Sequence, residues 1–435
     1  MQPVQVLTPL PEEDAEIYVA SVCFKTGPPG KIGIEVERTV HRSYDVAAPV
    51  TASEVRDAVG SAGEVLPGGG LITLEPGGQL EISSACAAGL PGLISATRDD
   101  LARAGGLLAE AGLRFGNLAL DPLRPPRRTL ELPRYAAMEQ QFDRTGPAGR
   151  TMMCSTASLQ VSLDAGLDGT GCGSASRRWH HLHALAPLLT AMFANSPFAN
   201  GTPSGWRSSR QAAWLAIDQT RTAAPAALGE DPRQDWARYA LDANVLCIRP
   251  ETEKGNWYAP QKLSMRNWLR GDGPRPATRQ DLDYHLTTLF PPVRPRGFLE
   301  LRVIDAQAGG DWEVVAAVVT ALVEDPPAAA LAAEACRNIP AGAGALRRAA
   351  RDGLADPELA RAALVCAQAV LDALPRLGAD QETRMRVETF IDNYTARGLS
   401  PADVSLASWR RTGHIPVFAA GNPADHPKER IREHR

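Results

Sequence analysis

A short strand pattern that carries two carboxylates constrains the fold of this chain more than any other feature of its sequence. Residues 31–39 read KIGIEVERT, an alternation in which the apolar residues share one face of a strand and Glu35 and Glu37 share the other. The two glutamates therefore project side by side, about 6.5–7 Å apart at their Cα atoms. An isolated pair of this kind is usually a solvated edge, but a hard cation between the carboxylates would offset their repulsion.

The arrangement recurs further along the chain, which strengthens the metal interpretation. The segment LITLEPGGQLEIS predicts a strand, a Pro-Gly-Gly turn and a second strand, with Glu75 and Glu81 on either side of the turn. A later strand pattern, FLELRVID, places Glu300 and Arg302 on one face. Removing an unpaired carboxylate from water costs several kcal/mol. Buried acids at this density would therefore not stabilise the fold by themselves. Neighbouring strands could instead form one surface that binds Mg²⁺; acids on separate solvated faces are the alternative.

Composition excludes several classes of function. The net charge of −4 over 435 residues gives no basic field for nucleic acid or an anionic membrane. No run of 18 apolar residues predicts a membrane span, and the N-terminus lacks the pattern of a signal peptide. The seven cysteines are scattered without a Cys-x-x-Cys, which is typical of a reduced compartment and predicts a cytoplasmic protein.

Patterns elsewhere predict a mixture of helices and strands. From residue 311 to about residue 410 the chain is rich in Ala and Leu and reads as blocks of helix, followed by a polar tail. The other predicted helices are 12–23, 51–59, 90–112, 134–142, 177–195, 205–220 and 278–290, and the other predicted strands are 113–120, 151–164 and 243–248.

Three motifs that suggest other chemistry are better explained structurally. The segment GPPGKIG lacks the spacing, the Ser/Thr and the following helix of a P-loop. His180 and His183 share a helix face, but no third ligand lies nearby in the sequence. Cys154 and Ser155 have no oriented His–Asp partner, so a covalent nucleophile is not indicated.

Several segments, in this order, resemble the glutamate–cysteine ligases of the plant, proteobacterial and actinobacterial type. They are GIEVE, LITLEPGGQLEIS, RYAAME, STASLQVSLD, ANSPF, GWRSSRQAAW and RGFLELR, and DLDYHLTTLFPPVRPR looks most like the actinobacterial branch associated with ergothioneine synthesis. The resemblance covers about residues 15–310. It implies an α+β, glutamine-synthetase-like fold: a curved, mainly antiparallel sheet with helices packed behind it. Residues 1–310 would form the catalytic core, and residues 311–435 a C-terminal helical region packed on that core.

The resemblance also implies a function, namely ATP-dependent ligation of the γ-carboxylate of L-glutamate to the amine of L-cysteine through γ-glutamyl phosphate. By the matched motifs, two or three Mg²⁺ ions would be held by Glu35, Glu37, Glu75, Glu81, Gln160 and Glu300. Arg210 and Arg302 would face the transferred phosphoryl group. Arg134 would lie near the amino-acid substrates, and Trp214 would form one wall of the cysteine pocket. Related sequences often have Asn where this chain has Ser162, so no contact is assigned to Ser162.

Elementary chemistry agrees with this assignment. A carboxylate does not acylate an amine until its oxygen becomes a leaving group, which phosphorylation achieves, and metal ions and arginine stabilise that transfer. Two alternatives stay open: a ligase of the same superfamily with a different amine or acid, and a non-catalytic binding protein on the same fold. The expected partners are L-glutamate, L-cysteine and ATP, without nucleic acid or membrane. The sequence does not predict the oligomeric state.

Overall fold

The structure is a computed structural model that describes residues 8–27, 30–60, 65–171, 173–250 and 255–418. Some sequence interpretations fall on the remaining residues and so lie outside the described part of the chain. They concern the N-terminal residues 1–7, the middle of GPPGKIG at 28–29, Cys172, and the end of the polar tail at 419–435.

A six-stranded sheet brings the predicted acidic strands together. The strands are β1 (Ile32–Arg38), β2 (Val40–Arg42), β3 (Leu71–Leu74), β4 (Leu80–Ser83), β5 (Leu113–Phe115), β6 (Ser158–Asp164), β7 (Phe198–Ala199), β8 (Thr202–Pro203), β9 (Val293–Pro295) and β10 (Phe298–Asp305). The main sheet has the order β3–β4–β1–β6–β10–β9, and every neighbouring pair in it is antiparallel. The pairs β2–β5 and β7–β8 form small separate ribbons. The predicted α+β class with a mainly antiparallel sheet is confirmed.

Helices surround this sheet and make up most of the chain after β10. They are α1 (Glu12–Cys23), α2 (Ala52–Val59), α3 (Leu90–Glu110), α4 (Pro133–Asp143), α5 (Ala148–Ser155), α6 (Ala175–Met192), α7 (Ser209–Leu215), α8 (Gln219–Thr222), α9 (Pro232–Asp242), α10 (Met265–Asn267), α11 (Arg279–Leu286), α12 (Trp312–Glu324), α13 (Pro326–Ala335), α14 (Ala343–Asp352), α15 (Pro357–Ala373), α16 (Gln381–Asn393) and α17 (Pro401–Thr412). A capping box begins α2, where Thr51 and Glu54 each accept the other's backbone N–H. The segment predicted as one helix over 205–220 forms two, α7 and α8.

The prediction of a single strand over 151–164 is wrong in its first half. Only Ser158–Asp164 forms a strand, whereas the preceding residues form helix α5. The run TMMCS does not alternate, and its apolar side chains pack in a small cluster with Phe142 and Met138 of α4. Tertiary packing, rather than strand periodicity, therefore decides the conformation of this segment.

The strand predicted over 243–248 is also not formed. This segment makes isolated bridges only, Asn244 with Ser264 and Cys247 with Tyr258, to an irregular partner segment. The strand predicted over 113–120 is shortened to β5, which pairs with β2. Apolar composition identified these segments as buried, but a strand also needs a regular neighbour with which to pair.

One large hydrophobic core joins the sheet to the C-terminal helices. The apolar face of β1, including Ile34 and Val36, packs in the same cluster as residues of α6, α12 and α15. The glutamates of β1 therefore project from the opposite face, as the alternation predicts. The division at residue 310 stays a prediction, because α12 shares its core with the sheet.

Among the helices in the described ranges, none alone is long and apolar enough to cross a membrane. The pair α12 and α13 reaches that length only across a 92° bend. Helix α12 is buried along almost its whole length within the core.

Two buried histidines are expected to make the fold sensitive to acid. Burial lowers the pKa of His183 to about 3, and burial together with Arg221 lowers that of His285 to about 4. Since these values lie below the unfolded value of 6.5, the unfolded chain binds protons first. The histidines' contribution to stability is therefore complete above pH 6.5 and is lost as the pH falls towards about 4.

Replacing His183 by Phe is expected to flatten this dependence. His183 packs edge-to-face on Trp179, a contact that Phe can keep. The drop in the free energy of unfolding between pH 6.5 and pH 4 should shrink by about 1–3 kcal/mol, measured by urea unfolding at each pH. The exposed His414 provides the control variant His414→Gln, which should reproduce the wild-type slope. Parallel curves for His183→Phe and wild type would contradict the prediction.

Candidate active site

A cavity of about 360 Å³ opens on the glutamate-bearing face of the main sheet. It collects side chains from both halves of the sheet and from helices α4, α5 and α7. Nine of the ten site residues predicted from the sequence line it: Glu35, Glu37, Glu75, Glu81, Arg134, Gln160, Arg210, Trp214 and Arg302. The tenth, Glu300, is fully buried in the adjacent wall and contacts Arg302. Folding thus brings together residues that lie up to 265 positions apart, between Glu35 and Glu300.

Strand register arranges four glutamates as one acidic wall, formed by Glu35, Glu37, Glu75 and Glu81. Glu37 lies directly across from Glu81 on β4, and Glu35 directly across from Gln160 on β6. Glu75 follows β3 at the turn of the β3–β4 hairpin. The side chains of directly paired residues are about 4.5–5.5 Å apart at Cβ, so these carboxylates are neighbours.

All four carboxyl groups of the acidic wall have raised pKa values. Burial, followed by repulsion from Glu300 and Glu81, raises the pKa of Glu35 to about 7. Burial, followed by repulsion from Glu81 and Glu37, raises the pKa of Glu75 well above its usual range. The pKa values of Glu37 and Glu81 are raised chiefly by burial as well. Positive charge placed among these side chains would relieve the penalty.

Local hydrogen bonds hold part of the acidic wall in place. Glu37 accepts the backbone N–H of Ser158 at 2.8 Å and the side-chain amide of Gln160 at 2.8 Å. Glu81 accepts the hydroxyl of Thr73 at 2.7 Å. These contacts explain why the two carboxylates keep a defined orientation despite their mutual repulsion.

The donor set of the acidic wall fits a hard divalent cation such as Mg²⁺. Carboxylate oxygens, with the neighbouring amide oxygen of Gln160, are the kind of ligand that such ions take, and burial and mutual repulsion raise the pKa values of Glu35 and Glu75. In this conformation, no group of three His, Cys, Asp or Glu side chains from the described residues is arranged to hold an ion. Rotations of the glutamate side chains would therefore accompany metal binding.

An arginine wall faces the acidic wall and is formed by Arg210, Arg294 and Arg302. Arg302 donates to Gln160 Oε1 and, at 2.7 Å, to Glu300 Oε2. Its guanidinium lies 6.0 Å from the ring centre of Trp214 and 5.8 Å from that of Phe290, which limits its movement. Cationic donors on this side are suited to bind the oxygens of a phosphate or a carboxylate.

Glu300 pairs with two residues of the arginine wall, Arg294 and Arg302. Its carboxylate accepts two hydrogen bonds from Arg294, at 2.7 and 3.0 Å, and one from Arg302. Although burial alone would raise its pKa, the guanidinium groups of Arg294 and Arg302 hold that pKa at about 2. Glu300 therefore stays ionised at every physiological pH, and its role as a metal ligand stays a prediction.

Arg134 and Trp214 both line the cavity. Arg134 donates to the hydroxyl and the carbonyl oxygen of Thr287, both at 3.1 Å, and lies 5.3 Å from the ring centre of Tyr284. Trp214 packs edge-to-face on Phe290, with 5.6 Å between the ring centres. Their substrate contacts stay predictions.

Sequence reasoning did not identify Arg294, Arg296 or Asp305. Arg294 and Arg296 line the cavity. The segment VRPRGF before the last acidic strand could have revealed Arg294, because a short turn at Gly297 pairs Arg294 directly with Glu300. Asp305 was missed for a different reason. Period-two alternation predicts that it lies on the apolar face of β10, but in the structure it lies on the opposite face, paired with Ser158.

The tip of the β3–β4 hairpin is docked against helix α5. A Cβ atom at Gly77 would lie 2.0 Å from the carbonyl oxygen of Cys154, so this position accepts only glycine without movement. The side chain of Gln79 accepts the N–H of Gly77 at 3.0 Å and donates to the carbonyl oxygen of Thr156 at 2.8 Å. The position of Glu75 in the acidic wall therefore depends on this close approach.

Replacing Gly77 by Ala is expected to lower the free energy of unfolding by about 1–3 kcal/mol, since the hairpin must retreat. The displaced Glu75 should reduce kcat by about 10- to 100-fold. The matched control is Gly106→Ala in α3, where no atom lies within 4 Å of the added Cβ. That control should stabilise the fold by up to about 1 kcal/mol and leave kcat unchanged. Identical behaviour of the two variants in thermal unfolding and steady-state assays would refute the expectation.

Comparisons with known proteins place this site in a family. Residues 31–421 match the model of glutamate–cysteine ligase family 2. The chain is 37% identical over 418 residues to the glutamate–cysteine ligase EgtA of Mycolicibacterium smegmatis, covering 91% of this chain and 94% of that protein. It is 38% identical over 395 residues to EgtA of Mycobacterium tuberculosis H37Rv, covering 89% and 88%. The chloroplastic glutamate–cysteine ligase A of Oryza sativa subsp. indica is more distant, at 29% identity over 72% of this chain and 66% of that protein.

A solved structure supports the fold assignment. A glutamate–cysteine ligase from Francisella tularensis, determined in complex with AMP, aligns with a TM-score of 0.51 at 12% identity, covering 89% of this chain and 86% of that one. At this level of identity the similarity concerns the fold alone. The match of the family model to most of the sequence shows that this chain belongs to glutamate–cysteine ligase family 2.

Proposed function

We propose that this protein is an ATP- and Mg²⁺-dependent glutamate–cysteine ligase. The observation that carries the proposal is the meeting, in one cavity, of an acidic wall with raised pKa values and an arginine wall. An oxygen of the γ-carboxylate of L-glutamate attacks the γ-phosphorus of ATP, ADP leaves, and γ-glutamyl phosphate forms. The amine of L-cysteine then attacks the acyl carbon, phosphate leaves, and a proton is released as the amide forms.

The acidic wall is the proposed binding site for the metal. When bound there, Mg²⁺ would neutralise charge on the phosphate oxygens during transfer. The proposed ligands, for two or three ions, are Glu35, Glu37, Glu75, Glu81, Gln160 and Glu300. Support comes from the oxygen-rich donor set and from the repulsion that raises the pKa of Glu35 and Glu75.

The arginine wall is proposed to bind the reacting groups. Arg302 and Arg210 would donate to the oxygens of the transferred phosphoryl group, where charge develops in the transition state. Arg134 would orient an amino-acid carboxylate, and Trp214 would wall the pocket for cysteine. No protein nucleophile is required, because the acyl phosphate itself is the activated species.

The proposal is tested by measuring ADP and γ-glutamylcysteine with purified protein, ATP, Mg²⁺ and L-glutamate. Adding L-cysteine should give ADP and the dipeptide in equal amounts. ADP release with another amine, but not with cysteine, would instead identify a related carboxylate–amine ligase. No Mg²⁺-dependent ATP turnover under any of these conditions would favour a non-catalytic binding protein.

Three further assignments stay predictions. Residues 1–310 are proposed to form the catalytic core and residues 311–435 a helical region packed on it, a proposal supported by the core that α12 and α15 share with the sheet. Cysteine usage favours the cytoplasm. Consumption of the dipeptide in ergothioneine synthesis depends on the resemblance to the actinobacterial branch.

A further inference from the structure

A bulge in β10 turns Asp305 towards the active-site half of the protein. Leu301 pairs with Val161, but Ile304 pairs with Leu159, so three steps along β10 match two along β6. The extra residue reverses the alternation after Arg302. Asp305 consequently pairs with Ser158, a residue that lines the cavity. Without the bulge, Asp305 would point into the apolar core behind the sheet.

Asp305 is buried and held by several donors. It is 1% exposed, and one carboxylate oxygen accepts the backbone N–H of Asn195 at 2.9 Å and the hydroxyl of Ser196 at 2.7 Å. The other oxygen accepts the hydroxyl of Ser208 at 2.8 Å and lies 3.6 Å from Nη1 of Arg210. Asp305 does not line the cavity, so it acts on the reaction only through a neighbour.

That neighbour, Arg210, is fixed from several sides. Its backbone N–H bonds to Ser196 Oγ at 3.1 Å, and its Nη2 donates to the carbonyl oxygen of Arg302 at 2.8 Å. Nη1 is buried, and its nearest anionic atom is Oδ1 of Asp305 at 3.6 Å, although the side chain lines the cavity. Asp305 is therefore the anion that balances this end of the guanidinium.

We propose that Asp305 is a positioning residue that holds Arg210 for phosphoryl transfer. Its negative charge balances the buried guanidinium from behind, and its hydrogen bonds to Ser196 and Ser208 fix the start of α7, on which Arg210 lies. The guanidinium of Arg210 is thereby held at the cavity, where it would meet a phosphate oxygen of the nucleotide. The inference depends on the proposed function for the identity of that anion. A residue that only joined α7 to the sheet would affect stability without affecting the transfer step.

A double-mutant cycle separates these roles. Asp305→Asn keeps a hydrogen-bond acceptor but removes the charge, and Arg210→Gln removes the group on which Asp305 is proposed to act. Asp305→Asn should lower kcat about 10- to 100-fold with little change in KM for cysteine. In the Arg210→Gln background, the same change should have no further effect. Asp325→Asn is the matched control: Asp325 is also buried, caps α13 and pairs with Arg376, away from the cavity. The control should keep wild-type kcat.

A second readout, which does not require turnover, is the affinity for ATP. It is measured by calorimetry on the four proteins of the cycle: wild type, the two single variants and the double variant. Asp305→Asn should weaken binding in the wild-type background only. Equal effects of Asp305→Asn in both backgrounds, or no effect in either, would overturn the positioning role even if wild type makes γ-glutamylcysteine. If wild type makes no dipeptide but the affinity cycle shows the coupling, the proposed function falls and the role of Asp305 stands.

Discussion

Replacing Glu75 by Gln is expected to lower kcat by about 10²- to 10³-fold while making the protein more stable at pH 8. The loss of activity follows from removing one proposed metal ligand, since metal stabilisation of the transferred charge contributes several kcal/mol. The gain in stability follows from the pKa of Glu75, which burial and the charges of Glu81 and Glu37 raise well above its usual range. Gln does not ionise, so the penalty of the charged form disappears.

The sign of the stability change depends on pH. A carboxyl group whose pKa is raised by folding favours the folded state only while it is protonated, and this contribution is lost as the pH rises through the folded pKa. Glu75→Gln should therefore gain about 1 kcal/mol over wild type at pH 8, a figure that allows for screening in the open cavity, and nothing at pH 4. Urea unfolding at both pH values measures the change. Glu110→Gln, at an exposed position on α3, should alter neither kcat nor stability. A less stable and fully active Glu75→Gln would contradict the account.

Replacing Arg302 by Lys is expected to lower kcat by about 10³-fold. Arginine that stabilises phosphoryl transfer contributes 10³- to 10⁵-fold in other enzymes, and a lysine ammonium does not reproduce its planar fork. A lysine side chain could not contact Gln160 and Glu300 at the same time. It would also lack the planar group that lies near the rings of Trp214 and Phe290. The fold should persist, because Arg294 still makes two hydrogen bonds to Glu300.

Steady-state kinetics with each substrate varied in turn measures this effect, and KM for cysteine should change little. The control is Arg337→Lys, at a surface position where the arginine pairs only with the exposed Glu334 among the described residues. A kcat for Arg302→Lys within threefold of wild type would exclude Arg302 from the transfer step.

The acidic wall could be predicted from the sequence because strand alternation is a local property. Once Glu35 and Glu37 are on one face of a strand, any neighbouring strand with acids on the same face extends the wall. The resemblance to a known family supplied the expectation that strands far apart in the chain join one mainly antiparallel sheet. Together they identify nine of the residues that line the cavity.

Each error has a specific physical cause. Alternation assigns Asp305 to the wrong face, because the bulge between Leu301 and Ile304 leaves no mark in a period-two pattern. The segment with Met152 and Met153 is apolar enough for a strand, and only its packing against α4 makes it a helix. The pairing of Glu300 with Arg294 depends on the β9–β10 register, which the turn at Gly297 sets.

Anomalous diffraction from crystals grown with Mn²⁺, L-glutamate and a non-hydrolysable ATP analogue tests the central claim most directly. The account predicts manganese peaks in the cavity, within coordination distance of Glu35, Glu37, Glu75 and Glu81 and next to the phosphate oxygens of the nucleotide. Manganese only at outer surfaces, with the nucleotide bound elsewhere or these four carboxylates facing no ion, would contradict it.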